Sequence, residues 1–154
     1  MDIISFEPAL RLFAAIVAGS LIGLNRDLHG KPTGVRLHAL VSLGAAIFTA
    51  AGIELASQDP AATSRIIQGI VGGIGFLGAG VIMRDNRHAR ITNLTTATSI
   101  WLTAALGVTC GLGSWKLAGM GVVCALIALT LGRSIDRLLY GRLGPEDDEP
   151  PKTG

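Results

Sequence analysis

The chain is predicted to be an all-α membrane protein, a bundle of about five transmembrane helices, and three observations carry that prediction. Residues Arg65 to Arg84 read RIIQGIVGGIGFLGAGVIMR, with no charge between the two arginines, and a hydrocarbon core of about 30 Å is crossed by roughly 20 helical residues. So many glycines would make a poor soluble helix, at about 1 kcal/mol each relative to alanine, whereas between lipid-embedded helices they become contact surfaces. The composition agrees: 49% hydrophobic residues against 16% charged, 21 glycines in 154 residues and a mean hydropathy of +0.53 form the membrane pattern.

Five apolar runs account for nearly the whole chain, at about Pro8 to Leu24, Leu37 to Leu55, Ile66 to Met83, Leu94 to Leu112 and Leu117 to Leu131. The first follows the acidic Asp2, lacks a positive leading region and shows no small-residue cleavage site before Gly19, so it reads as a retained span. Arg11 lies inside it, where a long side chain reaches the interface from near a helix end. The second run follows GKPTG at Gly30 to Gly34, which is turn material, and the third follows Asp59-Pro60, a capping carboxylate before a proline suited to a first helical turn. The fifth run is short; together with Arg11 in the first, that leaves a four-span version open. The tail GPEDDEPPKTG is polar and proline-rich and is expected to be disordered. The chain therefore divides into a membrane domain, residues 1–133, and a polar tail, residues 134–154.

The loops orient the bundle. Asn25 to Arg36 holds Arg26, Lys31 and Arg36; Arg84 to Asn93 holds Arg84, Arg87 and Arg90; Arg133, Arg137 and Arg142 follow the fifth span. These three regions are expected in the cytoplasm, giving N-out and C-in. Net charge is only +2, and the basic residues lie in short clusters between apolar runs, which argues against a nucleic-acid partner. Cys110 and Cys124 sit inside apolar runs without metal-ligand spacing and read as buried small hydrophobes.

No catalytic motif is present: Gly73, Gly75 and Gly78 have the G-x-G-x-x-G spacing, but inside a span rather than after a strand, and no phosphate loop, nucleophile elbow or H-E-x-x-H pair occurs. The chain is read as a non-enzyme with no cofactor and no metal site. Two carboxylates, Asp27 and Asp85, could hold a hydrated Mg²⁺, but the surrounding positive charge argues against it. His29, His38 and His88 are read as interfacial.

Small residues recur at helical spacing: Ala15, Gly19 and Gly23 on the first span; Gly69, Gly72, Gly73, Gly75, Gly78, Ala79 and Gly80 on the third; and, on one face of the fourth, Thr95, Ser99 and Thr103 followed by Gly107 and Gly111. They are expected to pack helices closely and to build a homo-oligomer, a dimer first. The hydroxyl stripe is read as packing in preference to a substrate path. The candidate functional cluster comprises Arg26, Asp27, Lys31, Arg36 and His38 with Arg84, Asp85, Arg87, His88 and Arg90 of the second loop and Thr95, Thr96 and Ser99 at the start of the fourth span, Asp27 and Asp85 each pairing with an arginine of the other loop. Ordinary topology determination and lipid-headgroup contact compete with that reading. No span carries a central carboxylate for a divalent cation.

GLNRDLHGKPTGVRLHALVSLGAAIFT at Gly23 to Thr49, GGIGFLGAGVIMR at Gly72 to Arg84 and NLTTATSIWLTAALGVTCGLG at Asn93 to Gly113 resemble, in that order, the MgtC/SapB family of bacterial inner-membrane proteins. The resemblance covers about Leu10 to Leu131. It implies five transmembrane helices with a cytoplasmic C-terminus, multi-pass location in the inner (plasma) membrane, and a role in adaptation to low Mg²⁺, exerted on other membrane proteins such as the F-type ATP synthase. The positions matching its motifs are Asp27, Lys31, Arg36, His38, Arg84, Thr95, Thr96 and Ser99. Asn25, Arg26 and Asp27 stand where the family usually has Glu-Arg-Glu, and Thr92 and Asn93 where it usually has Arg-Gly. The chain looks like the short branch, without the ACT-type C-terminal domain of the virulence-associated members. Mg²⁺ is the one ion the resemblance leaves open as a ligand. A regulatory role is the leading expectation and a small ion transporter, using the glycine and hydroxyl faces of the third and fourth spans, the alternative.

Overall fold

A computed structural model describes residues 6–31, 33–56, 59, 61–83 and 93–140. Five helices follow one another, α1 (Phe6–Asp27), α2 (Val35–Leu55), α3 (Ala62–Met83), α4 (Leu94–Gly111) and α5 (Trp115–Tyr140), and no strand occurs among the described residues. Each is long and apolar enough to cross a membrane, which removes the four-span version. The fifth helix runs past its apolar part through residues 134–140, given to the tail above. RSIDRLLY holds no glycine or proline to stop it, and the next residue is Gly141. Arg84, Asp85, Arg87, His88, Arg90 and residues 141–154 lie outside the described residues.

The connections end helices by recognisable chemistry. After α1, Gly30 takes a φ of +63°, its N–H donates to the Asp27 carbonyl (3.0 Å) and the Lys31 N–H to the Arg26 carbonyl (3.1 Å), the paired closure of a left-handed glycine stop. After α4, Gly113 (φ +70°) and Ser114 repeat the pattern, donating to Cys110 and Thr109 (2.9 Å each). Gly30→Val is expected to cost about 1–2 kcal/mol, the penalty for a side chain in the left-handed region, measurable as a lower midpoint of unfolding in mixed micelles. Before α3, Asp59 accepts the Ala61 N–H (2.9 Å) and an ion pair from Arg65 (2.6 Å), the capping role its position predicts.

α4 is the centre of the bundle and packs against all four other helices, α2 lies between α1 and α3, and α5 covers α1 and α4. The interior is built of small side chains, among them Ala15, Ala18, Ala46, Ala97, Ala104 and Ala118, while Phe6, Phe13, Leu40, Phe76 and Met120 point outward. Small inside and large outside inverts the soluble pattern and is what helices in lipid require, because close backbone approach rather than hydrophobic burial draws them together. At Gly23 an added Cβ would lie 2.5 Å from the Val35 Cα, at Gly19 2.8 Å from the Ser42 Cβ, at Gly107 2.9 Å from the Ala45 Cβ and at Gly111 2.7 Å from the Ala46 carbonyl oxygen. α1 and α4 thus grip α2 from two sides through the glycines expected to do so. The third span differs: a Cβ added at Gly78 would lie 3.7 Å from the Ala97 Cβ, but at Gly69, Gly72, Gly73, Gly75 and Gly80 it would meet nothing of another described helix within 4 Å.

Candidate functional site

One end of the bundle, where α1 stops and α2 and α4 begin, encloses polar side chains. Arg26 lies in the last turn of α1 and is only 1% exposed. Its guanidinium donates through Nη2 to the Thr96 hydroxyl, which sits in the first turn of α4. His38, in the first turn of α2 and fully buried, is held between α2 and α4: Nδ1 lies 3.1 Å from the Gly34 carbonyl and Nε2 3.3 Å from Ser99 Oγ. A carbonyl only accepts, so Nδ1 carries a proton. Ser99 in turn donates to the Thr96 carbonyl (2.7 Å), so its one hydroxyl proton is shared between that carbonyl and the imidazole Nε2. Thr103, one turn deeper, donates to the Ser99 carbonyl (2.8 Å). The result is a polar column running Arg26, Thr96, Ser99, His38 across three helices, in an interior where each missing partner is costly.

Asp27 has a different task. Its Oδ2 accepts the Val35 N–H at 3.0 Å, and its carboxylate fills the space where a Cβ on Gly34 would stand. Gly34 is the N-cap of α2 and has no side chain to cap with, so the carboxylate reaching across from the end of α1 satisfies an orphan donor of α2 and favours its positive end. This joins α1 to α2; the other loop's arginines, with which the sequence pointed to a pairing, lie outside the described residues. Asp27→Ala is expected to lower stability by about 1 kcal/mol and Asp27→Asn, whose amide oxygen still accepts, by less than half of that in the same unfolding assay.

Several expected positions fall elsewhere. Thr95 is exposed, and Thr96 takes its place on the buried face. An i, i+4 stripe drifts about 40° per step on a 3.6-residue helix, so with Gly107 at the contact centre Thr96 is aligned and Thr95 is turned out. His38 is buried among the helices, whereas His29 is exposed beside the Asn25 carbonyl (2.6 Å). Arg36 is exposed on the first turn of α2, and Lys31 is half-buried in the turn before it. Cys124 is exposed on α5, unlike the buried Cys110. Ser42 and Asn25, outside the candidate cluster, are both buried, and among the described residues Ser42 Oγ and Asn25 Oδ1 have no hydrogen-bond partner. For Ser42 a signal existed, because His38, Ser42 and Thr49 form a polar stripe along one face of an otherwise apolar run. Among the described residues no group of three or more acidic, His or Cys side chains is placed to hold a metal.

Asn93 precedes α4 with a φ of +63° and no side-chain cap. Asparagine tolerates that region and glycine prefers it, so Asn93→Gly is expected to leave stability unchanged or raised, and Asn93→Val to cost about 1–2 kcal/mol, by the same assay.

The chain is similar to several known proteins. SrpB of Synechococcus elongatus is 37% identical over 144 residues, covering 87% of this chain and 79% of SrpB. The protein MgtC of Salmonella typhimurium is 44% identical over 108 residues, covering 70% of this chain and 45% of MgtC. A protein of Escherichia coli named as the putative magnesium transporter YhiD is 38% identical over 116 residues, 70% of this chain and 52% of YhiD. The chain thus spans about half the length of the latter two. No solved structure gives a significant match. The model of the MgtC family matches residues 12–138, which reaches into all five spans and includes the whole polar column, and the chain belongs to the MgtC family.

Proposed function

We propose that this multi-pass membrane protein is a non-enzymatic regulator in adaptation to low Mg²⁺, acting through a partner membrane protein that contacts its Arg26 end, with that end in the cytoplasm. The observation that carries the reading is how α4 uses its hydroxyls. Ser99 and Thr103 are buried and donate to carbonyls of their own helix at 2.7 and 2.8 Å, and just beyond them Gly107 lies against the Ser42 carbonyl of α2. Buried side chains tied into the helix, followed by backbone packed on backbone at Gly107, make a tight joint between α2 and α4 that leaves no room for an ion to pass between them. The exposed basic side chains at the same end, Arg36 and His29, offer contacts to a partner or to headgroups.

Transport is the second reading, favoured by the name of the Escherichia coli relative. Mg²⁺ flux into proteoliposomes holding the purified chain, beside Ser99→Val with Thr103→Val, decides between them. No flux above protein-free vesicles is expected from either; flux in the wild type that the double variant abolishes would overturn the regulatory reading. In cells, Arg36→Glu is expected to impair growth of a complemented deletion strain at limiting Mg²⁺ while membrane levels of the protein stay unchanged, and unimpaired growth would remove Arg36 from the contact surface.

A further inference from the structure

We propose that the outward face of α2 binds one anionic phospholipid, with its phosphate on Arg36 and its two acyl chains in the hollows on either side of the helix. α2 lies between α1 and α3, and the face it turns away from α4 carries the exposed Arg36, Leu40 and Ile47. Arg36 has no hydrogen-bond or ion-pair partner among the described residues. The neighbouring carboxylate, Asp27, is turned onto the Val35 N–H (3.0 Å). An open guanidinium at the start of a helix, where the dipole is also positive, is complementary to a phosphodiester, whose oxygens accept from its fork in pairs.

Below that cation the surface is hollowed twice. Between α2 and α3 an apolar groove of about 390 Å³ is walled by Leu40, Gly44 and Phe48 on α2 and by Gly73 and Leu77 on α3. Between α1 and the start of α2 a second apolar hollow, of about 340 Å³, has Val35 as its α2 wall and runs from Leu24 to Ile16 on α1. Their depth matches a lipid in one leaflet. Leu40, Gly44 and Phe48 follow Arg36 by 4, 8 and 12 residues, about 6, 12 and 18 Å along the helix axis, and half of a hydrocarbon core is about 15 Å. Leu24 to Ile16 covers about 12 Å from the same end. Two hollows of similar size below one open cation fit the two chains and single phosphate of a diacyl lipid, whereas a single-chain amphiphile would leave one hollow empty. A second copy of this chain docked here by two-fold symmetry would bring its own Arg36 to the same face, and like charges across an interface repel. The lipid site does not rest on the regulatory function, since binding is measured without growth.

The test is native mass spectrometry of the full chain released from micelles holding phosphatidylglycerol and phosphatidylcholine with the same acyl chains, in equal amounts. One phosphatidylglycerol per chain is expected to be retained about fivefold over phosphatidylcholine, the weight of one arginine near an anionic headgroup. Arg36→Gln is expected to bring the two lipids within about twofold of each other, while Arg65→Gln, at the opposite end of the bundle, keeps the preference. Gly44→Leu fills the groove between α2 and α3. Because a Cβ at Gly44 meets nothing of another described helix within 4 Å, this variant is expected to lower retention of both lipids severalfold with the thermal midpoint unmoved. Equal retention of the two lipids by the wild type, a preference indifferent to Arg36→Gln or lost equally in Arg65→Gln, retention indifferent to Gly44→Leu, or a two-chain species without lipid would each overturn the proposal.

Discussion

Gly107→Val is expected to destabilise the bundle by about 3 kcal/mol or more, the upper range for forcing volume into a packed core, and to remove most of the folded protein from the membrane. Valine is a slightly better helix former than glycine, by a few tenths of a kcal/mol, so a variant judged on the isolated helix would be mildly stabilised. Packing reverses the sign. The new Cβ alone would stand 2.9 Å from the Ala45 Cβ and closer still to the Ser42 carbonyl oxygen. Backbone cannot rotate away as a side chain can, so α2 and α4 must separate. Separation also draws α2 from Gly111, which lies within 3 Å of Ala46 and Thr49 by the same measure, so the damage is not local. Gly72→Val is the matched control: the same chemistry on a helix face where an added Cβ meets nothing of the other described helices within 4 Å is expected to leave the stability of one copy within about 0.5 kcal/mol, the range for substitutions away from packed features. Steric-trap or denaturant unfolding of both variants in one bilayer mimetic checks the pair. Similar losses in both would mean that helix contacts are not where the glycines act.

The contrast between Gly107 and Gly72 shows how much of the structure was legible in the sequence. Length and hydropathy are properties of single segments, so the five helices, the stop at Gly30 and the cap at Asp59 could be read from the residues themselves. Which glycine face meets another helix depends on the rotation of each helix in the bundle. Gly19, Gly23, Gly107 and Gly111 and the five open glycines of α3 look alike in one dimension, and only the packing sorts them. The site divides in the same way. Arg26 and His38 stood out as polar residues at the ends of apolar runs, a position that ordinarily means headgroup contact. Their burial comes from α4, whose Thr96 and Ser99 lie far along the chain. The neighbouring threonines 95 and 96 were separable only once Gly107 had fixed which side of α4 faces inward.

Arg26→Met is expected to leave the fold nearly as stable as the wild type, within about 1 kcal/mol, while Arg26→Ala costs at least about 3 kcal/mol. The alanine loses both the buried stem, at about 0.8 kcal/mol per methylene, and a hydrogen bond to a charged donor, worth about 1.5–3 kcal/mol. Methionine keeps the volume and removes the charge together with its desolvation penalty, and apolar replacements of buried charged groups are often neutral for that reason. Thr96→Val separates the two roles. With Arg26 present it deprives a buried guanidinium of one acceptor and is expected to cost about 2 kcal/mol; in the Arg26→Met background it should cost under about 0.5 kcal/mol, a coupling of roughly 1.5 kcal/mol from the double-mutant cycle. If Arg26→Met is as stable as expected, stability does not require the charge. An ionisable side chain facing the interior of a membrane bundle is then retained for what it does, and the same variant is expected to lose growth at limiting Mg²⁺. A stable Arg26→Met protein that still supports that growth would take the polar column out of the functional site and leave its exposed rim, Arg36 and His29, as the surface that acts.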